Sequence, residues 1–473
     1  MVVYIHNFIG GRRMEPLGSE ACEVRSPFNG KWVGVAPLAS LADVDLAIAT
    51  ARQAIDREAR SGQSLSQRTE VVERFLSTYL KRLPSLSGLI TRENATPLWG
   101  NVLLGDELTA RAASHVEAAR SNLSRCGTGT AEMALIAKPA GLVAAMPAWH
   151  APQNMAIGWL IPAILAGCAI ILALNPITAL DGQTIGELMM EAGLPEGLLS
   201  ILVTSEETAG YLAGHPGVDR VAVSSSDPTG RYLASIAASR SKSLTLDIGR
   251  RSAAIILPDV DIASAVEGLR DNSLLANGQW PGRQDRFLVP RHRQGELTKA
   301  LNEALARLRL GDPLALSTDI GPLISRQQRN AVMRAIEHAI AAGAELASGG
   351  EPVDPGDASG AFFQPTVVAN TPRQMNITLE TIPGPVILVI PYDEIDQAIG
   401  ISNEGGYGAT AAVWTSDSAL ARVIAGRLRA RVVSINGPNA EGHAPSSQHR
   451  RGMGHMDGLR GVDEFVEWQA LVT

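Results

Sequence analysis

The sequence predicts an α/β protein whose parallel sheets carry helices on both faces. Apolar runs of strand length alternate with amphipathic helical stretches over most of the chain, the order expected when a helix crosses back between successive parallel strands. The runs are apolar at adjacent positions, as strands buried on both faces are. The chain is 473 residues long and 45% hydrophobic, ordinary values for a globular protein of roughly three domains.

Taken in order, Val44, Ala47, Ile48, Ala51 and Ile55 recur at helical spacing, which reads as a helix over Val44–Ile55. Strands are expected at Val143–Met146, Ala169–Leu174, Leu199–Val203, Val221–Ser225 and Leu244–Asp247. Helical segments between them fall at Thr184–Ala192, Glu206–Ala213 and Gly230–Ser239. A second α/β series has strands at Ala253–Leu257, Arg286–Val289, Val386–Pro391, Ala409–Trp414 and Val432–Ile435. The Pro/Gly/Asp-rich stretch Glu351–Ser359 is expected to be an exposed loop. Phe465–Thr473 ends in alternating Leu and Val and reads as an edge strand. A bare edge needs covering, so this strand is expected to pair with another subunit.

No Asp, Glu, Lys or Arg occurs from Pro139 to Leu180, and Ala156–Leu174 is apolar enough to span a membrane on hydropathy alone. Pro162 and Gly167 interrupt it and basic flanks are missing, so it reads as a buried helix turning at Gly167 into a buried strand. The net charge of −7 argues against nucleic-acid partners and anionic membranes. The three cysteines, Cys22, Cys126 and Cys168, have neither disulfide nor metal-site spacing, so no metal is expected and a reducing compartment fits. The stretch Met1–Asn7 lacks the basic start of a secretory signal, which points to a cytoplasmic protein.

Several local motifs recur in a fixed order: Glu191–Pro195, Val218–Ala222, Gly311–Leu314 followed by Thr318–Ile324, Gly349-Gly350 with Phe363–Val367, Gly384–Val386 and Ile435–Gly437. Each is weak alone. Together they resemble the aldehyde dehydrogenase superfamily nearly end to end. The resemblance implies a Rossmann-like dinucleotide-binding domain (1–118 and 140–249), an α/β catalytic domain (250–445) and a small β oligomerisation arm (119–139 and 446–473). It also implies an NAD or NADP cofactor, a small-molecule ligand, and assembly as a homo-dimer or tetramer, or as a hetero-oligomer with an active relative.

At the chemical positions the chain departs from that family. In Asn277–Arg283, Pro281 stands where the family carries its nucleophilic cysteine, and proline offers neither nucleophile nor backbone N–H. Trp149-His150 with Pro152 matches the stretch in which an asparagine amide binds the oxyanion, so His150 stands at that amide. Asp247, in Leu246–Ser252, replaces the general-base glutamate with a carboxylate one methylene shorter, and Arg250 and Arg251 follow it. Among the implied cofactor contacts Trp149, Ser226 and Gly230 are retained, with Ser225 at a glycine and Asp227 adding a charge at the helix start. Ala173 and Pro176 occupy the lysine and glutamate that hold the adenosine ribose. Thr381 replaces the glutamate that holds the nicotinamide ribose, and Pro383 a phenylalanine beside the nicotinamide. The lost ribose contacts weigh against cofactor binding.

The resulting reading is an aldehyde dehydrogenase fold that has lost thiol-dependent aldehyde oxidation, a pseudoenzyme with a structural, regulatory or partner-subunit role. The alternative is an NAD(P)-dependent oxidoreductase or a hydrolase using Asp247 and His150 in the same cleft. A pocket filled by Trp280 would favour the former and an open polar tunnel the latter. Asp247 is read either as a base or as the partner of Arg250, Arg251 or Arg283. Arg283–Arg286 is read as either an acidic-ligand reader or a locally ion-paired loop. Cys168 reads as a small hydrophobe at a helix-to-strand turn, Ser224–Ser226 as a helix-capping turn, and His449–Arg451 near His455 as a solvated loop.

Overall fold

The computed structural model describes residues 2–123, 133–248, 252–280, 282–354, 359–372, 382–404, 408–437, 452–454 and 458–472. Parallel strands form the centre of an eight-stranded sheet. In space they run Ser243–Ile248, Arg220–Ser225, Leu142–Met146, Ala169–Leu174, Leu199–Val203. The chain lays successive strands to one side of Leu142–Met146, then returns to add the last two on its other side. The order therefore reverses between Leu142–Met146 and Arg220–Ser225. In open α/β sheets the crevice beyond the strand ends at such a reversal is where ligands bind. The antiparallel hairpin of Asn7–Ile9 and Arg12–Met14 closes one edge, and Gly452–Met453 closes the other.

The charge-free stretch behaves as its interruptions suggest. Every residue of the helix Pro152–Ala166 is buried, Gly167 ends it at φ 91° with its N–H on the carbonyls of Ala163 and Ile164, and Ala169–Leu174 enters the sheet. Glycine adopts that left-handed conformation without a Cβ penalty. Among the described residues no helix is long and apolar enough to cross a membrane.

The second half forms a seven-stranded sheet in the order Glu345–Ser348, Thr366–Ala369, Val386–Tyr392, Arg286–Pro290, Ala253–Ile256, Gly408–Trp414, Ala430–Ile435. Apolar clusters cover both of its faces. All strands expected from the sequence are present. Among the features that go beyond it are a three-stranded sheet of Val2–Val3, Trp32–Pro37 and Ala21–Arg25, and the helices Leu65–Asn94 and Leu98–Asn122. The last helix runs across residue 119. Leu65–Asn94 starts on a capping box of Ser64 and Gln67, a signal present in the sequence.

The C-terminal strand is present where it was expected. Val466–Val472 pairs antiparallel with Met133–Pro139 of the same chain over its whole length. That pairing covers one edge of the strand; in this two-stranded ribbon its other edge pairs with no strand among the described residues. Trp468 and Leu471 remain about half exposed on it.

Candidate functional site

A cleft of about 320 Å³ opens where the parallel strands of the first sheet end. Its walls are the residues just past those strands: Met146–His150, Ala173–Ile177, Thr204–Glu206 and Val223–Ser226. Ala173 and Pro176 line it, as do Trp149 and Ser226. Hydroxyls of Thr204, Ser205, Ser224, Ser225, Ser226 and Thr229 give the lining its polar character. Asn175 turns inward on the backbone, its Oδ1 accepting from the N–H of Ile177 at 2.9 Å.

The helix Asp227–Ser239 points its start at this cleft. Ser226 occupies the cap position with extended backbone, but its side chain makes no capping bond and instead bonds the Thr229 hydroxyl at 3.3 Å. The serine triplet thus supplies the turn without the side-chain cap expected of it. Pro228, second in the helix, has no N–H, so the other first-turn N–H groups are those left to an anion. Asp227, expected to oppose one, is ion-paired with Arg231 at 3.1 Å. Gly230 is buried, and a Cβ there would lie 2.2 Å from Cγ2 of Ile248. Its lack of a side chain lets the helix lie close on the strand Ser243–Ile248, one of the roles glycine plays in dinucleotide folds. These features fit a pyrophosphate at the helix start.

His150 stands at one end of the cleft with its ring edge-on to two tryptophans, Trp149 at 5.7 Å and Trp280 at 5.9 Å between ring centroids. Asp247 lies on the neighbouring strand in register with Ser224. The Ser224 hydroxyl, which faces the cleft, donates to Oδ2 of Asp247 at 3.2 Å. The structure therefore joins Asp247 to the cleft through a serine hydroxyl that the sequence reading had treated only as a turn residue.

The segment around residue 280 is committed to the scaffold. Ala276, Asn277 and Gly278 run in succession at φ 53°, 59° and 71°, a strained left-handed path for the alanine. A Cβ on Gly278 would collide with the Gly384 carbonyl at 2.2 Å. Asn277 donates to the carbonyls of Ala95 and Pro322, each at 2.9 Å, and accepts from Gly321 N–H at 2.7 Å. Gln279 accepts from Ile324 N–H at 3.0 Å. Trp280 is 1% exposed and packs into the first core. It is buried behind His150 and does not line the strand-end cleft, so the Trp280-filled pocket that would favour the pseudoenzyme over its alternative is not what this cleft shows. Arg283, fully buried, pairs with Asp285 at 3.1 Å and donates to the carbonyls of Trp280 and Ile382. Burial lowers its affinity for the proton and Asp285 restores part of it. Of the two readings of this loop, local ion pairing is the one observed.

Cys168 sits between the helix and strand it was expected to join. It is buried, its thiol donates to the Phe465 carbonyl at 3.3 Å, and burial pushes it up to about 12, so it carries no thiolate at neutral pH. Cys22 lies on the strand Ala21–Arg25 with its thiol on the Pro176 carbonyl at 3.2 Å. Pro281, Arg250, Arg251, Thr381, Cys126, His449–Arg451 and His455 lie outside the described residues. Among the described residues no cluster of His, Cys, Asp or Glu could hold a metal ion.

Two features of the site have no counterpart in the sequence reading. Glu206 is the one Asp or Glu on the cleft lining among the described residues; its signal was an acidic residue directly after the serine that caps a helix behind a strand. Behind the cleft wall, Glu93 accepts from the N–H groups of Leu180 and Asp181, each at 2.8 Å, beside the buried Asp181 carboxyl. The two residues lie far apart in sequence and nothing local marks them as neighbours.

A parallel sheet with reversed strand order, a cleft at its strand ends and an uncapped helix start define a Rossmann-like fold coupled to a second α/β unit. The chain belongs to the aldehyde dehydrogenase family, whose model matches residues 15–471. It is 30% identical to geranial dehydrogenase of Castellaniella defragrans over 98% of both chains. It is 32% identical to 3-succinoylsemialdehyde-pyridine dehydrogenase of a Pseudomonas species over 99% of this chain and 98% of that one. Among solved structures, an aldehyde dehydrogenase of Mycobacterium tuberculosis complexed with NAD+ superposes with a TM-score of 0.94 at 33% identity, covering 100% of this chain and 98% of that one. Aldehyde dehydrogenase C of Pseudomonas syringae, with one cysteine replaced by alanine and in complex with NAD+ and octanal, gives 0.92 at 31% identity over 99% and 96% of the two chains.

Proposed function

We propose that this chain binds a nicotinamide dinucleotide in the strand-end cleft but does not carry out thiol-dependent aldehyde oxidation. In this reading it is a pseudoenzyme of its family, acting as a structural, regulatory or partner subunit. The observation that carries it is the identity of residue 281, a proline, flanked by Trp280 and Arg283, whose side chains are buried in scaffold contacts. With no thiol at that position, no thiohemiacetal forms there. Ser226, Trp149 and the first-turn N–H groups of the helix Asp227–Ser239, held close by Gly230, would hold the dinucleotide. A bound nicotinamide would supply a hydride acceptor. The cysteine-to-alanine relative from Pseudomonas syringae, described with both NAD+ and octanal, supports binding without a cysteine. The exposed Trp468 and Leu471 on the C-terminal ribbon support a homo-dimer or tetramer, or a hetero-oligomer with an active relative.

The test is a calorimetric titration of the full chain with NAD+, followed by octanal and NAD+ together with NADH read by absorbance. Micromolar binding, about −8 kcal/mol, with no NADH formed is the expected result. NADH production overturns the loss of oxidation; no binding at millimolar NAD+ overturns the cofactor reading.

The Ser224–Asp247 hydrogen bond at the cleft favours one second reading, a hydrolase in which Asp247 serves as base and His150 as oxyanion donor. It requires ester turnover that falls steeply in Asp247→Asn and His150→Ala. Equal rates in wild type and both variants sink it.

A further inference from the structure

Glu206 is placed to decide which dinucleotide the cleft accepts. In Rossmann-like folds an acidic residue beyond the second strand takes the ribose hydroxyls, while a cation there accommodates a 2′-phosphate. Here the second strand of the parallel set, Ala169–Leu174, runs out into Asn175 and Pro176. The Asn175 amide oxygen is spent on Ile177, and proline has nothing to offer. The adjacent strand, Leu199–Val203, pairs with it in parallel register and ends at Thr204, Ser205 and Glu206 on the same cleft wall.

Ser205 caps the helix Glu206–Gly214, accepting from Thr208 N–H at 3.1 Å. The cap is thus filled without Glu206, whose exposed carboxylate has no ion-pair partner among the described residues. No Lys or Arg lines the cleft among the described residues.

We propose that Glu206 supplies, from the third strand, the acceptor that the second strand lacks, and that it restricts the cleft to a dinucleotide with a free ribose diol, excluding one with a 2′-phosphate. This rests on the reading of the cleft as a dinucleotide site. A carboxylate accepts hydrogen bonds from both diol hydroxyls, whereas a phosphate dianion beside it meets like charge with no cation to relieve it.

The test is calorimetric titration of wild type, Glu206→Gln and Glu206→Lys with NAD+ and with NADP+. Position 206 is exposed, and circular dichroism of each variant checks that it folds. Wild type is expected to prefer NAD+ by about tenfold or more, a difference of about 1.4 kcal/mol. Glu206→Gln narrows the ratio, and Glu206→Lys brings it to unity or reverses it. Wild type binding both cofactors equally, or a ratio unchanged in Glu206→Lys, overturns the role of Glu206 while leaving the dinucleotide cleft in place. Neither cofactor binding to wild type overturns both.

Discussion

Trp280 meets His150 edge to face, their ring centroids 5.9 Å apart at an interplanar angle of 76°. The contact ties the one imidazole on the cleft lining to the loop that contains residue 281. Trp280 is buried in the core of the first sheet, so it anchors the histidine from behind. Replacing it with alanine is expected to cost about 3–5 kcal/mol of stability, the usual loss for a large buried aromatic. A urea unfolding midpoint within error of wild type would show that the pair does not anchor the loop.

Gly230 should be intolerant of even one methyl group. The added Cβ would sit 2.2 Å from the Ile248 side chain and 2.9 Å from the Ser225 hydroxyl, in a helix–strand contact with no slack. Gly230→Ala is expected to lose about 1–3 kcal/mol, as overpacked sites do, and to weaken NAD+ binding by shifting the helix start. Unchanged thermal unfolding and an unchanged dissociation constant would contradict this.

Asn277 holds the residue-281 loop to two other segments. Asn277→Ala leaves the Ala95 and Pro322 carbonyls and the Gly321 N–H without their partner, in a buried place where each such group costs about 1–3 kcal/mol. The variant is expected to lose about 3 kcal/mol and to expose the loop to limited proteolysis. A wild-type cleavage pattern would show that the loop is held elsewhere.

Stability should fall as the pH rises above the ordinary carboxylate range. Burial pushes Asp181 up to about 8 and raises Glu93 as well, the neighbouring carboxyl adding to the effect. The folded chain therefore keeps a proton that an unfolded carboxyl, titrating near ~4, gives up. Between those values the unfolded state binds fewer protons, so the pair's stabilisation is complete below about 4 and is lost as the pH rises towards 8. Tyr4 and Tyr79, pushed upward by burial and by these carboxyls, remain neutral throughout. Urea midpoints are expected to decline from pH 5.5 to 8 in wild type and to flatten in Asp181→Asn. The same slope in both proteins would remove the pair as its cause.

Much of this was legible in the sequence because it is local. Runs such as Ala169–Leu174 are apolar at every position, and a segment of that length can only be a strand buried on both faces or a piece of buried helix. Gly167 marked the turn between the two. The short strands Ala21–Arg25 and Val2–Val3 escaped notice because they alternate weakly and lie mostly exposed. The partner of Val466–Val472 could not be read because it lies several hundred residues away, at Met133–Pro139. At the site, Ser226, Gly230 and His150 were named by motif, whereas the Ser224–Asp247 bond depends on the register of neighbouring strands.

The amino-acid sequence by itself determined the strand and helix periodicity, the family, and the identity of residue 281, since each resides in a side chain or in the spacing of a few neighbours. The tertiary structure alone decided that Arg283 turns inward to Asp285, that Glu93 and Asp181 share one buried place, and that Glu206 is the one Asp or Glu on the cleft wall among the described residues. The physical reason is convergence: Glu93 closes one helix and Asp181 opens another, Arg283 reaches the Ile382 carbonyl, and Glu206 follows the strand Leu199–Val203, so which of these groups meet is settled by how distant elements pack together.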